Sequence, residues 1–174
     1  MRFADTLILA VMLNFARLPG QPPAQADSLR VEIRNLTERA SYGLNESIEL
    51  DVKIINGGSK TIGVFAKLGM GYQGGLILHV RDASRAEVQP PTLAHDFLDL
   101  AAIQDAKNYL ELRPGQFLET KQRFSLRELI SKPGHYKLFA EYHCPVETKY
   151  AKVANFWSID RKSVVSPEIE FRVE

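Results

Sequence analysis

The chain has 174 residues with 22 basic and 21 acidic side chains, a formal charge of +1. Hydrophobic residues make up 45% and charged residues 25%, the balance of an ordinary globular protein long enough for one self-sufficient core. So even a charge excludes the basic excess of a general nucleic-acid binder, and a lone cysteine, Cys144, excludes an intramolecular disulfide framework or a cysteine-rich zinc module.

Residues 1–26 read as a signal peptide. Arg2 precedes the apolar run Leu7–Leu13, Pro19, Gly20, Pro22 and Pro23 break any helix, and Ala24-Gln25-Ala26 is a small-x-small cleavage pattern. The run is about half of the roughly 20 apolar residues that a membrane span needs. Cleavage after Ala26 removes Arg2, Arg17 and Asp5 and leaves 27–174, expected as a single domain with net charge zero. The expectation is an exported product, periplasmic or extracellular, with no membrane span in the mature chain.

From residue 29 apolar and polar residues alternate, the period of a strand with one wet face. Leu29, Val31 and Ile33 begin the pattern, and Ile48, Leu50, Val52 and Ile54 continue it against Glu49, Asp51 and Lys53. Asn56-Gly57-Gly58-Ser59 is a turn. Thr61–Lys67 predicts a further strand, followed by a glycine-rich loop and a strand over Leu76–Arg81. Pro90-Pro91 ends that element, and 93–108 reads as a short helix or an irregular crossover. Arg113-Pro114-Gly115 turns into a strand over Phe117–Phe124, and Leu126–Ile130 suggests one helical turn. Lys132-Pro133-Gly134 turns again into Tyr136, Leu138, Ala140 and Tyr142 on alternate positions, and Ile169–Val173 is the last strand. Seven or eight strands without a long helix predict an all-β, antiparallel two-sheet sandwich.

The run Pro133-Gly134-His135-Tyr136-Lys137-Leu138-Phe139-Ala140 resembles the tyrosine corner of immunoglobulin-like sandwiches. Upstream, Leu112-Arg113-Pro114-Gly115-Gln116 and Ser125-Leu126-Arg127-Glu128-Leu129 are similar to immunoglobulin-like modules of secreted bacterial proteins. A fainter likeness is to such domains in bacterial proteinase inhibitors. The resemblance implies an immunoglobulin-like fold in which the Tyr136 hydroxyl bonds back to the connecting loop, here without the cysteine pair and strand-C tryptophan of antibody domains.

Gly69-Met70-Gly71-Tyr72-Gln73-Gly74 matches the dinucleotide fingerprint G-x-G-x-x-G, but that chemistry needs a helix after the glycines. Leu76–Val80 reads as strand, so no cofactor is expected and the glycines serve a wide or bulged connection. His79, His95, His135 and His143 show no metal-ligand spacing, and no G-x-S-x-G elbow occurs. His95, Asp96, Asp99 and Asp105 form the densest acidic cluster. No metal site and no catalysis are expected. Asn35-Leu36-Thr37 and Asn45-Glu46-Ser47 fit the N-glycosylation sequon.

The stretch Pro145–Pro167 joins the last two strands, where antibodies carry a recognition loop. Tyr150, Phe156 and Trp157 are the candidate anchors and Lys152, Arg161 and Lys162 a basic rim, the residue types from which binding hot spots are made. The alternative is that Phe156 and Trp157 belong to an extra hairpin and pack on the core. The functional expectation is a non-enzymatic domain that binds another secreted or cell-surface protein, with no nucleic-acid partner. Inhibition of a secreted peptidase, or metal or small-ligand handling through His95, Asp96, Asp99 or Cys144, are the alternatives.

Overall fold

The computed structural model describes residues 28–71, 74–88 and 100–174. The signal peptide expected at 1–26 and the cluster His95, Asp96 and Asp99 lie outside the described residues.

The chain is an all-β sandwich. One sheet holds β1 (Leu29–Asn35), β3 (Ser47–Asn56) and β9 (Phe117–Ser125) in the order β1-β3-β9, all antiparallel. The other is built on β6 (Gly75–Asp82), β10 (Gly134–Tyr142) and β12 (Ile169–Val173), with β10 central. Four two-residue strands, β2 (Ser41–Tyr42), β5 (Gly69–Met70), β7 (Glu87–Val88) and β11 (Val164–Val165), trim its margins. A separate pair joins β4 (Ile62–Phe65) to β8 (Tyr109–Leu112). Among the described residues eight strands reach four residues or more, in line with the seven or eight expected. Two short edges depart from antiparallel order, where β2 runs parallel to β12 and β5 parallel to β6.

Alternation does the folding. Ile48, Leu50, Val52 and Ile54 of β3 are fully buried, and Leu76, Val80, Leu138, Ala140 and Tyr142 meet them from the other sheet. Each such Leu or Ile contributes about 1.5–3 kcal/mol relative to exposure. The outward positions of β3 read Glu49, Asp51, Lys53, and each faces an opposite charge on β9: Arg123, Lys121 and Glu119. The helical turn expected at Leu126–Ile130 is α2 (Leu126–Leu129), closed by a capping box between Ser125 and Glu128. In the segment 93–108, α1 (Leu100–Gln104) and a 3-10 turn at Ala106–Asn108 give the short-helix reading for the described part.

Two side chains fix the loops. The Tyr136 hydroxyl donates to the Lys132 carbonyl at 2.7 Å, the bond implied by the tyrosine-corner pattern. Asn56 is fully buried where β3 ends. Its amide donates to the carbonyls of Lys60 (2.8 Å) and Leu112 (2.7 Å), and its side-chain oxygen accepts from the Gly58 N–H (2.9 Å). The backbone of the same residue bonds to Gln116 and Gly115. Asn56 thus ties β3, the approach to β4 and the β8–β9 turn together.

The described glycines of the glycine-rich segment lie at β5 and at the start of β6, a connection between strands. Gly69 N–H donates to Gly74 O at 2.8 Å, and a Cβ on Gly74 would lie 2.3 Å from the Gly69 carbonyl carbon. The close approach requires glycine there, and β6 begins immediately afterwards instead of a phosphate-binding helix.

Asn56→Ala leaves the buried Leu112 carbonyl, the part-buried Lys60 carbonyl and the Gly58 N–H without their side-chain partner, so a loss of about 2–4 kcal/mol is expected, against about 1 kcal/mol for Tyr136→Phe. Urea unfolding of both variants, compared with wild type, measures the difference.

Candidate functional site

The connection from β10 to β12 is a seated loop, not a projecting one. After a 3-10 turn at Thr148–Tyr150 the chain runs along β4. Gly63 N–H donates to Asn155 O at 3.1 Å and Trp157 N–H to Gly63 O at 2.8 Å. Ile159 N–H then donates to Val146 O at 2.9 Å, closing the loop on its own base. Asn155 Nδ2 adds a bond to Thr61 O at 2.9 Å. The seat exists because position 63 has no side chain. A Cβ there would lie 2.3 Å from Val153 Cγ2 and 2.9 Å from Ala154 O.

Sequence reasoning brought six residues to this loop, and the structure divides them. Phe156 and Trp157 are only 6% and 9% exposed and belong to the core cluster, Phe156 with its ring 5.5 Å from Tyr109. They pack inward, as the core-packing alternative had it, and hold the loop down. Tyr150 is half-buried against the same cluster. Lys152, Arg161 and Lys162 stand exposed, with the Arg161 guanidinium 5.3 Å above the Trp157 ring. Ile159, 37% exposed, lies among them in sequence.

A second cluster, on the outer face of the larger sheet, has no sequence signature because three strands and a loop build it. Phe139 sits at its centre with His79 stacked on one part of it (4.6 Å between centroids, 7° between planes) and the Arg81 guanidinium 4.5 Å from its centroid. His79 Nδ1 lies 2.6 Å from Glu87 Oε1 and Nε2 lies 2.8 Å from Glu141 Oε2. Burial alone would raise the Glu141 carboxyl; hydrogen bonds from Ser163 and His79 and the His79 charge outweigh it and hold the group below its usual range. Ser163 lies between Lys162 and β11, so this cluster abuts the loop. Arg81 and Lys137 share Glu168 at 3.0 and 3.3 Å. The readable signal was the outward alternation His79, Arg81 and Phe139, Glu141; the pairing between strands was not readable.

Cys144 is 2% exposed beneath the loop, and burial pushes its thiol up from 9.0 to about 11. The neighbouring Tyr142 hydroxyl is raised well above 10.0, first by burial and then by Cys144. Cys144 is therefore a small buried hydrophobe, the plainer of the two readings of its sequence. Among the described residues no three His, Cys, Asp or Glu side chains converge to hold a metal ion. Of the two sequon asparagines, Asn45 is exposed, whereas Asn35 spends its amide on Tyr42 Oη (2.6 Å) and Arg39 O (3.2 Å).

No family model and no curated protein matches the chain. Among solved structures it is similar to a β-glucosidase from Erythrobacter marinus, at 16% identity and a TM-score of 0.39, covering 85% of this chain but only 16% of the glucosidase. It is also similar to the CARDB domain of a Pyrococcus furiosus protein, solved in complex with di-metal ions, at 14% identity and a TM-score of 0.42, covering 88% of this chain and 94% of the domain. Neither likeness bears on what the present chain does, and its fold is assigned from its own sheet order.

Two measurements check this geometry. Gly63→Ala should cost about 1–3 kcal/mol by lifting the loop, seen as a lower melting temperature and a red shift of Trp157 fluorescence. For Cys144 the unfolded chain ionises near 9.0 and the folded chain near 11. Stability is full below pH 9 and falls as pH rises to 11, by roughly 2–3 kcal/mol from this group. Urea midpoints at successive pH values follow the fall, which Cys144→Ala should reduce, and thiol reagents should label native Cys144 only on unfolding.

Proposed function

We propose that this chain is an exported, non-enzymatic immunoglobulin-like module that binds an acidic surface of another secreted or cell-surface protein through the 145–167 connection. The observation that carries the reading is that the loop is long yet pinned: Phe156 and Trp157 are buried and Gly63 seats the backbone, so the exposed cations are held in place before a partner arrives. Pre-ordering lowers the entropy cost of association. Lys152, Arg161 and Lys162 form the rim, Tyr150 and Ile159 the apolar contacts, and Phe156 and Trp157 support them from below.

Rim charges act on association rate and salt dependence more than on the depth of binding. The test uses the mature chain as bait in the native secreted fraction, with Lys152→Glu/Arg161→Glu/Lys162→Glu as the control bait of equal melting temperature. The expected result is an acidic partner, identified by mass spectrometry, that the triple variant binds at least about tenfold more weakly and that added salt releases. A partner held equally by both baits places the interface elsewhere, and the loop reading falls.

A further inference from the structure

We propose that β9 pairs edge to edge with β9 of a second copy, joining two three-stranded sheets into one six-stranded sheet across a twofold axis at Thr120. Among the described residues β9 has a ladder partner on one side only, β3, while β1, at the sheet's other margin, lies against β10, β11 and β12. Nine residues of strand, Phe117–Ser125, present a row of backbone donors and acceptors about 30 Å long. A row of that kind takes another strand, and the side chains select which one.

The selection comes from charge. In an antiparallel pair, residues directly opposite each other share a face, so only registers that keep inward residues opposite inward ones are allowed. With Thr120 on the axis, Thr120 faces Thr120, Glu119 faces Lys121 twice, and Phe117 faces Arg123 twice. Moving the axis to Lys121 sets lysine opposite lysine, and moving it to Glu119 sets glutamate opposite glutamate.

The existing sheet extends the same pattern. One outward row already reads Arg34, Asp51, Lys121 and the next reads Glu32, Lys53, Glu119. In the Thr120 register the first row of one copy continues into the second row of the other: Arg34, Asp51, Lys121, then Glu119, Lys53, Glu32. The sign alternates across all six strands. Phe117 is 49% exposed, with Lys53 Nζ 4.8 Å from its ring centroid, so it already accepts one cation and Arg123 of the second copy supplies another.

Sedimentation equilibrium on the 27–174 chain, from micromolar to millimolar, tests the proposal with two charge reversals. Glu119→Lys places lysine opposite Lys121 at both symmetric positions, and Lys121→Glu places glutamate opposite Glu119. Wild type should dimerise, and each variant alone should dissociate at least about tenfold more readily. Mixing the two variants restores opposite charges at both positions, so a heterodimer should form from species that do not pair with themselves. Circular dichroism confirms that each variant is folded, and the mixture guards against a variant that is merely damaged. A wild-type monomer throughout the range overturns the proposal. So does a dimer whose affinity neither reversal changes, because it would be built on another surface, and so does failure of the mixture to re-form a dimer.

Discussion

Burial of alternate side chains from β3, β6 and β10 against one another is the constraint on which everything else rests. Ile48, Leu50, Val52 and Ile54 leave water only if Leu76, Val80, Leu138 and Tyr142 close over them. A shift of one residue in any of these ladders would turn the whole apolar row outward. Register is therefore fixed by the core, and the outward rows follow without further choice. That is why the outward residues of β3 meet opposite charges on β9, and why His79 and Phe139 lie side by side.

The sandwich leaves its turns and crossings to be satisfied separately, and a few polar groups do this work. Asn56 replaces a stretch of sheet by binding two loop groups and the end of β8 at once, and the Tyr136 hydroxyl closes the turn before β10. The long β10–β12 connection is handled differently. Its backbone bonds to Gly63 and its two largest rings go into the core, so its order comes from hydrophobic burial and not from a hairpin of its own. Among the residues the loop leaves exposed are the cations Lys149, Lys152, Arg161 and Lys162, with Glu147 and Asp160 as the exposed acids.

Much of the fold was legible in the sequence because strand periodicity is a local property. The alternation at 48–54, the turn at Asn56-Gly57-Gly58-Ser59 and the tyrosine corner each lie within a few consecutive residues. The division of the binding loop was not legible. Trp157 and Lys162 look equally available in a line of letters, and only the approach of Gly63 decides that Phe156 and Trp157 turn inward. The His79–Glu87–Glu141 cluster was hidden for a related reason: its members are brought together by β6–β10 and β6–β7 pairing, which sequence spacing does not encode.

The sequence by itself determined the all-β class, the positions of most strands and turns, and the fate of the glycine-rich segment, since each follows from local period and backbone preference. Tertiary structure alone decided which aromatic rings serve the core, that the Cys144 thiol is buried and raised to about 11, and which charges face one another across the sheets. Those outcomes depend on contacts between residues far apart in the chain, where burial and electrostatics act through space and not along the backbone.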